Sequence, residues 1–195
     1  MEQDSRISKI AFVLPNFQAG GAERVMVTVA NHLDRTILKP VIIVFNESGP
    51  LRSIVADDIQ VISLNTERVS RGAFAFVNAV NQCQPDLVIS TMAHLNMVVL
   101  LTKPLMPRIP IIVREAVTPS YFSGSLMKRL ILTMAYCVIY PFANRILSPT
   151  NLVFDEMPWI LKAMPQKLCR IFNPVNEDHI RAGVDGDLRQ TLARP

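Results

Sequence analysis

The chain has 195 residues, half of them apolar and 18% charged, with twenty Lys and Arg against sixteen Asp and Glu for a formal net charge of +4. At roughly 100–200 residues per domain, this suits one large core with a short appendage and excludes a disordered, collagen-like or disulfide-scaffold chain. The basic residues are scattered, with Lys128-Arg129 the only adjacent pair, so no stripe tracks a phosphate backbone and nucleic acid is not expected as a partner.

The run 9–14 (KIAFVL), closed by Pro15-Asn16, reads as a buried parallel strand. In 22–33 the residues Ala22, Val25, Met26, Val29, Ala30 and Leu33 recur at helical spacing, which predicts an amphipathic helix. Residues 40–45 (PVIIVF) predict a second strand, 50–57 a short helix and 60–64 a third strand. A helix over 72–83 ends before Pro85, and the strand 86–90 (DLVIS) follows, with a short helix over 96–101. The β-branched run 110–114 (PIIVR) predicts a fifth strand, and a polar loop over 115–125 leads to a long helix over 126–143. Residues 145–148 (RILS) and 167–172 (KLCRIF) predict the last strands, with a helix over 152–161 between them. Buried strands alternating with amphipathic helices imply right-handed βαβ units, hence a Rossmann-like doubly wound parallel sheet with helices on both faces. Residues 1–172 are assigned to that domain, and the more charged tail 173–195 reads as a linker or the start of a further domain.

Cys83, Cys137 and Cys169 are isolated and odd in number, arguing against a disulfide framework and a structural zinc site and for a reducing, cytoplasmic compartment. The N-terminus MEQDSRISK lacks the apolar core of a secretory signal. Residues 87–102 and 130–144 are uncharged but shorter than the ~20 apolar residues of a spanning helix. The helix over 126–143 has two open readings: burial against the sheet, with Met127 and Met134 in the core, or a basic-flanked surface resting on anionic lipid at the inner face of a membrane.

In such folds ligands lie outside the carboxyl ends of the strands, where strand order reverses. For the common order this brings loop 17–21, loop 91–96 and residues 114–118 to one edge. Gly20-Gly21 opens the first helix, where free backbone N–H groups and about half a positive charge suit an anion; a turn that merely needs glycine is the plainer alternative. The pattern is neither GxGxxG nor a P-loop. His94 follows the fourth strand and is expected at the cleft, as a ligand-binding or a structural histidine. Glu115 ends the fifth strand and is a candidate ligand-binding carboxylate at the site edge, with a solvated loop carboxylate as the alternative. Arg114 is expected by alternation on the opposite face, in a salt bridge.

Gly20-Gly21-Ala22-Glu23-Arg24-Val25 resembles the opening motif of family-4-type retaining glycosyltransferases. The resemblance continues through 86–90 (DLVIS), 111–115 (IIVRE), 143–148 (ANRILS) and 171–175 (IFNPV), in the family's order over about residues 8–180. It implies one half of a GT-B fold, the acceptor-side half of an enzyme that moves a sugar from a nucleotide-sugar to a glycan or lipid-linked hydroxyl in polysaccharide biosynthesis. It implies no cofactor or catalytic metal; taken with the sheet-edge positions above, Gly20, Gly21, Ala22, His94 and Glu115 are the expected substrate-binding residues. The family's His after the fifth strand is replaced here by Ala116, and its paired glutamates belong to a donor-binding domain beyond Asn173-Pro174, so no catalytic residue is assigned. The chain alone is then expected to be inactive. A non-catalytic partner subunit of a split glycosyltransferase and a small nucleotide-binding Rossmann module are the alternatives.

Overall fold

Short runs of β-branched and aliphatic residues close into a single parallel sheet because their side chains are buried on both faces. The computed structural model describes residues 7–116 and 126–174. Its strands are β1 (Ser8–Leu14), β2 (Leu38–Val44), β3 (Gln60–Ser63), β4 (Leu87–Thr91), β5 (Ile111–Arg114), β6 (Arg145–Ser148) and β7 (Leu168–Arg170). The sheet order is β3-β2-β1-β4-β5-β6-β7, every pair parallel, so the order reverses between β1 and β4 as expected. Ile10 of β1 stands opposite Pro40 of β2 and Leu87 of β4.

The two faces carry separate cores. Ile10, Phe12, Leu14, Ile42 and Val44 pack against Met26, Val27 and Ala30 of α1 (Gly21–Asn31). Ala11, Val13, Ile43, Val88, Ile111, Val113 and Ile146 face the other way, toward Phe76 and Val80 of α2 (Ala73–Cys83) and Leu95 and Val99 of α3 (Ala93–Leu101). Each fully buried Phe, Val, Leu or Ile contributes roughly 1.5–3 kcal/mol, so the alternation along the strands fixes which face each helix covers. The doubly wound expectation holds.

Three elements differ from the sequence reading. The helix expected from residue 96 starts at Ala93, because Met92 turns the chain at a positive φ of 75° directly after β4. The helix expected over 152–161 is broken by Pro158 into α5 (Asn151–Glu156), N-capped by Thr150 Oγ1 accepting from the Val153 N–H, and α6 (Trp159–Lys162). The long helix stops earlier, as α4 (Leu126–Val138), and a single 3-10 turn, Tyr140–Phe142, carries Pro141.

α4 also corrects the burial expectation. Ala135 and Tyr136 are buried, but Met127 and Met134, read as core, stand exposed with Leu130, Ile131 and Val138. No helix among the described residues is long and apolar enough to cross a membrane. The loop residues 117–125 and the tail 175–195, with the expected linker, lie outside the described residues.

Candidate functional site

At the switch point the carboxyl ends of β1, β4 and β5 open into a cavity of about 380 Å³ lined by Gly20, Gly21, Ala22, Glu23, Met92, Arg114, Ala116 and Asn173. Gly20 precedes α1 with ordinary extended dihedrals (φ −70°, ψ 148°), no side chain caps the helix, and Gly21 has no positive φ either. The plain turn explanation for the glycine pair therefore fails: neither residue needs glycine's backbone freedom. A Cβ on Gly20 would fall 2.2 Å from Glu23 Oε2, so the Glu23 carboxylate folds back over the start of its own helix. A Cβ on Gly21 would meet nothing within 4 Å. The missing side chain there leaves open space beside N–H groups that have no partner within the helix.

Arg114 reverses its expectation. Alternation does send Arg114 and Glu115 to opposite faces, but Arg114 takes the α1 face and lines the cavity. Arg114 is 7% exposed, and its guanidinium donates to Thr91 Oγ1 at 3.1 Å and to Asn173 Oδ1 at 2.6 Å, both neutral; among the described residues these stand in place of the expected salt bridge. Burial pulls its pKa down and the neighbouring Glu115 opposes that. A buried cation thus faces a helix N-terminus, and the two together favour an anion between them.

Glu115 lies under the cavity floor, 1% exposed, among the residues of the opposite core. The expectation of a cleft-edge or solvated carboxylate is corrected here: its backbone N–H continues the sheet by donating to Leu147 O at 2.9 Å, and this turns the side chain inward. Tyr140 Oη donates to Glu115 Oε2 at 2.5 Å, Asn96 Nδ2 donates to Tyr140 Oη at 3.2 Å and to Arg114 O at 3.0 Å, and Ser90 Oγ donates to Asn96 Oδ1 at 2.7 Å. Tyr136 sets a second hydroxyl beside the carboxylate, short of hydrogen-bond geometry among the described residues. Burial pushes the Glu115 pKa up to about 7, against the tyrosine hydroxyls, the Ala116 N–H and Arg114, which favour the charged form. Both tyrosine hydroxyls are driven up by burial and by that carboxyl.

His94, on the first turn of α3, lines a second cavity of about 450 Å³ with Asn16, Asn46, Ser48, Glu67 and Arg68. Burial lowers the His94 pKa and the Glu23 carboxylate opposes this, so Glu23 stands between the two cavities. Gly20, Gly21 and Ala22 are brought together as expected; His94 and Glu115 do not border one concavity. Sequence reasoning brought the loop containing Met92 to this edge without singling that residue out, and missed Asn173 as a lining residue. The strained φ of Met92 had no signal in the sequence, whereas Asn173-Pro174 ended a recognisable motif.

Sheet order, handedness and the switch-point cleft define a Rossmann-like half of the GT-B architecture. No family model matches the chain, and no curated protein matches it. Among solved structures it is similar to a glycosyltransferase from Rickettsia africae (TM-score 0.66, 18% identity, covering 89% of this chain and 45% of that one). It is also similar to the apo form of the lipopolysaccharide outer core galactosyltransferase WaaB (TM-score 0.62, 15% identity, 86% and 46%) and to Anabaena HepE in complex with UDP (TM-score 0.60, 18% identity, 86% and 44%). UDP-GlcNAc 2-epimerase from Neisseria meningitidis, bound to UDP-GlcNAc, has a TM-score of 0.60 at 14% identity. The likeness is one of fold, and the chain spans about half the length of these proteins.

Proposed function

We propose that this chain is the acceptor-binding half of a retaining, family-4-type glycosyltransferase, moving a sugar from a nucleotide-sugar to a glycan or lipid-linked hydroxyl, and that it is inactive without a donor-binding domain. The observation that carries the reading is Gly21: neither its dihedrals nor its packing needs glycine, and a side chain there would enter the cavity at the α1 N-terminus opposite Arg114. A glycine that neither dihedrals nor packing require leaves room in the cavity for a ligand to approach the backbone. The N–H groups of α1 and the Arg114 guanidinium then meet the anionic end of the donor where the two halves of the enzyme close.

The polar cavity beside it, with His94, Asn16 and Asn46, receives acceptor hydroxyls. Glu115 supports this arrangement from beneath and does not touch the ligand. The three cysteines are free, which suits a cytoplasmic location.

The test is transfer from labelled nucleotide-sugars by this chain combined with its donor-binding domain, wild type against Gly21→Val. The expected result is a loss of roughly 100-fold or more, the scale on which a displaced substrate costs rate, with the far-UV spectrum and Tm unchanged. Unchanged turnover by a folded Gly21→Val protein would reduce the loop to a connector.

A further inference from the structure

We propose that Asn16 and Asn46 are the specificity pair of the second cavity, together holding two adjacent hydroxyls of one uncharged hexose residue of the acceptor. The proposal rests on the reading of that cavity as the acceptor site. β1 and β2 run parallel with Leu14 opposite Val44, and the pairing continues past both strands, Asn46 N–H donating to Pro15 O at 3.0 Å. The two asparagines, each two residues beyond its strand, therefore end side by side, and both line the cavity.

Each side chain is fixed in the same way. Asn16 Oδ1 accepts from the Gln18 N–H at 2.9 Å, and Asn46 Oδ1 accepts from the Ser48 N–H at 2.9 Å. These backbone donors decide which end of each amide is the oxygen, so each Nδ2 is turned away from the N–H that holds its own turn. Neither Nδ2 has a partner among the described residues. A turn needs only the oxygen, which Asp would supply equally well, and leaves both N–H donors of each amide unused. Neighbouring strands lie about 4.8 Å apart and a hydrogen bond spans about 3 Å, so the two amides reach neighbouring oxygens of one small ring.

The rest of the wall says what carries those oxygens. Glu67 and Arg68 follow each other on the cavity, one anion against one cation, and His94 is uncharged because burial lowers its pKa. Glu23, between the two cavities, disfavours an ionised carboxylate or phosphate further. A hydroxyl suits both signs, accepting from an Asn Nδ2 while donating to the Glu67 carboxylate. Phe45, Val69 and Val98 add apolar surface for the C–H face of a pyranose, in a cavity of about 450 Å³, the scale of a small-molecule site.

The test titrates the nitrogen-labelled chain with methyl glucoside, methyl galactoside and methyl mannoside, each beside its single-deoxy derivatives, and follows the side-chain amide signals of Asn16 and Asn46 by NMR. At least one hexoside should shift both signals together, and loss of either of two adjacent hydroxyls should weaken its binding at least about tenfold. Asn16→Asp and Asn46→Asp keep the oxygen that holds each turn, so Tm should stay unchanged while affinity falls at least about tenfold. A role confined to the turns requires the opposite, Asp variants that bind as the wild type does, and that result would overturn the proposal. No shift with any hexoside, or a shift at one asparagine only, would overturn it too. Sugar transfer by the chain with its donor-binding domain separates this proposal from the function it rests on. Transfer that both Asp variants leave unaffected would overturn the specificity pair alone. Hexoside binding lost in the Asp variants, without transfer by the wild type, would keep the pair and overturn the glycosyltransferase reading.

Discussion

Glu115 shows at the scale of one residue how the burial of a charge becomes a measurable property. Its carboxyl is held among Tyr140, Tyr136 and Asn96, and burial lifts its pKa in the fold to about 7, from the 4.5 of a free glutamate side chain. Between those two values the native state binds more protons than the unfolded chain, so stability falls as pH rises through that window and levels off above it. The expected loss from pH 4.5 to above 7 is on the order of 3 kcal/mol. Glu115→Gln keeps an acceptor for Tyr140, so denaturation at a series of pH values should show this slope removed and the variant more stable than wild type at pH 8. A pH dependence identical in both proteins would show that Glu115 does not titrate as its burial requires. The glycine pair divides at the same scale. On stability grounds Gly21→Val should cost no more than about 0.5 kcal/mol, since its Cβ meets open space, whereas a side chain at Gly20 must displace the Glu23 carboxylate.

Single positions control whole elements elsewhere in the chain. Gly49 sits at φ 128°, and a Cβ there would lie 2.2 Å from the Phe17 backbone, where the loops after β1 and β2 pack together. Phe17 N–H donates to Ser48 O and Leu51 N–H donates to Phe17 O, so this contact ties the loop leading to α1 to the loop leaving β2. Gly49→Ala is expected to destabilise the protein by at least ~2 kcal/mol, because both the dihedral and the backbone clash must be relieved. Urea denaturation measures it, and a shift in midpoint corresponding to under 0.5 kcal/mol would refute the argument. Elements themselves were largely legible from periodicity. All seven strands fall within two or three residues of where β-branched runs place them, and α1 follows its apolar spacing. α4 was harder, because an apolar sequence reads the same whether its face meets the sheet or the outside. The difference lies in what α4 offers the core: among its described side chains Ala135 and Tyr136 are buried, with Tyr140 just beyond the helix.

For the whole molecule, the governing quantity is how much of a ligand this half can hold. The GT-B proteins similar to it are about twice as long, and here the cavity offers one helix terminus, one arginine and a few loop groups. A nucleotide-sugar should therefore bind the isolated chain weakly. Calorimetry with UDP-sugars is expected to give a Kd well above micromolar, so less than about 8 kcal/mol of binding free energy. Micromolar binding would mean that the donor pocket lies within these residues after all, and the proposed division of labour would fall.

The sequence by itself determined the doubly wound sheet, its order of elements and the switch-point cleft, because hydrophobic periodicity and the handedness of βαβ units are local and chain-wide rules. It also determined that Gly20, Gly21 and Ala22 would stand at the cleft. Tertiary structure alone decided which face of β5 carries Arg114 and which carries Glu115. Alternation gives two opposite directions without saying which points to α1; that depends on the register of β5 against β4 and β6. It likewise decided that Met92 takes a positive φ where β4 turns directly into α3, and that Met127, Leu130, Ile131, Met134 and Val138 of α4 stand exposed, since helical spacing marks an apolar face without saying what meets it.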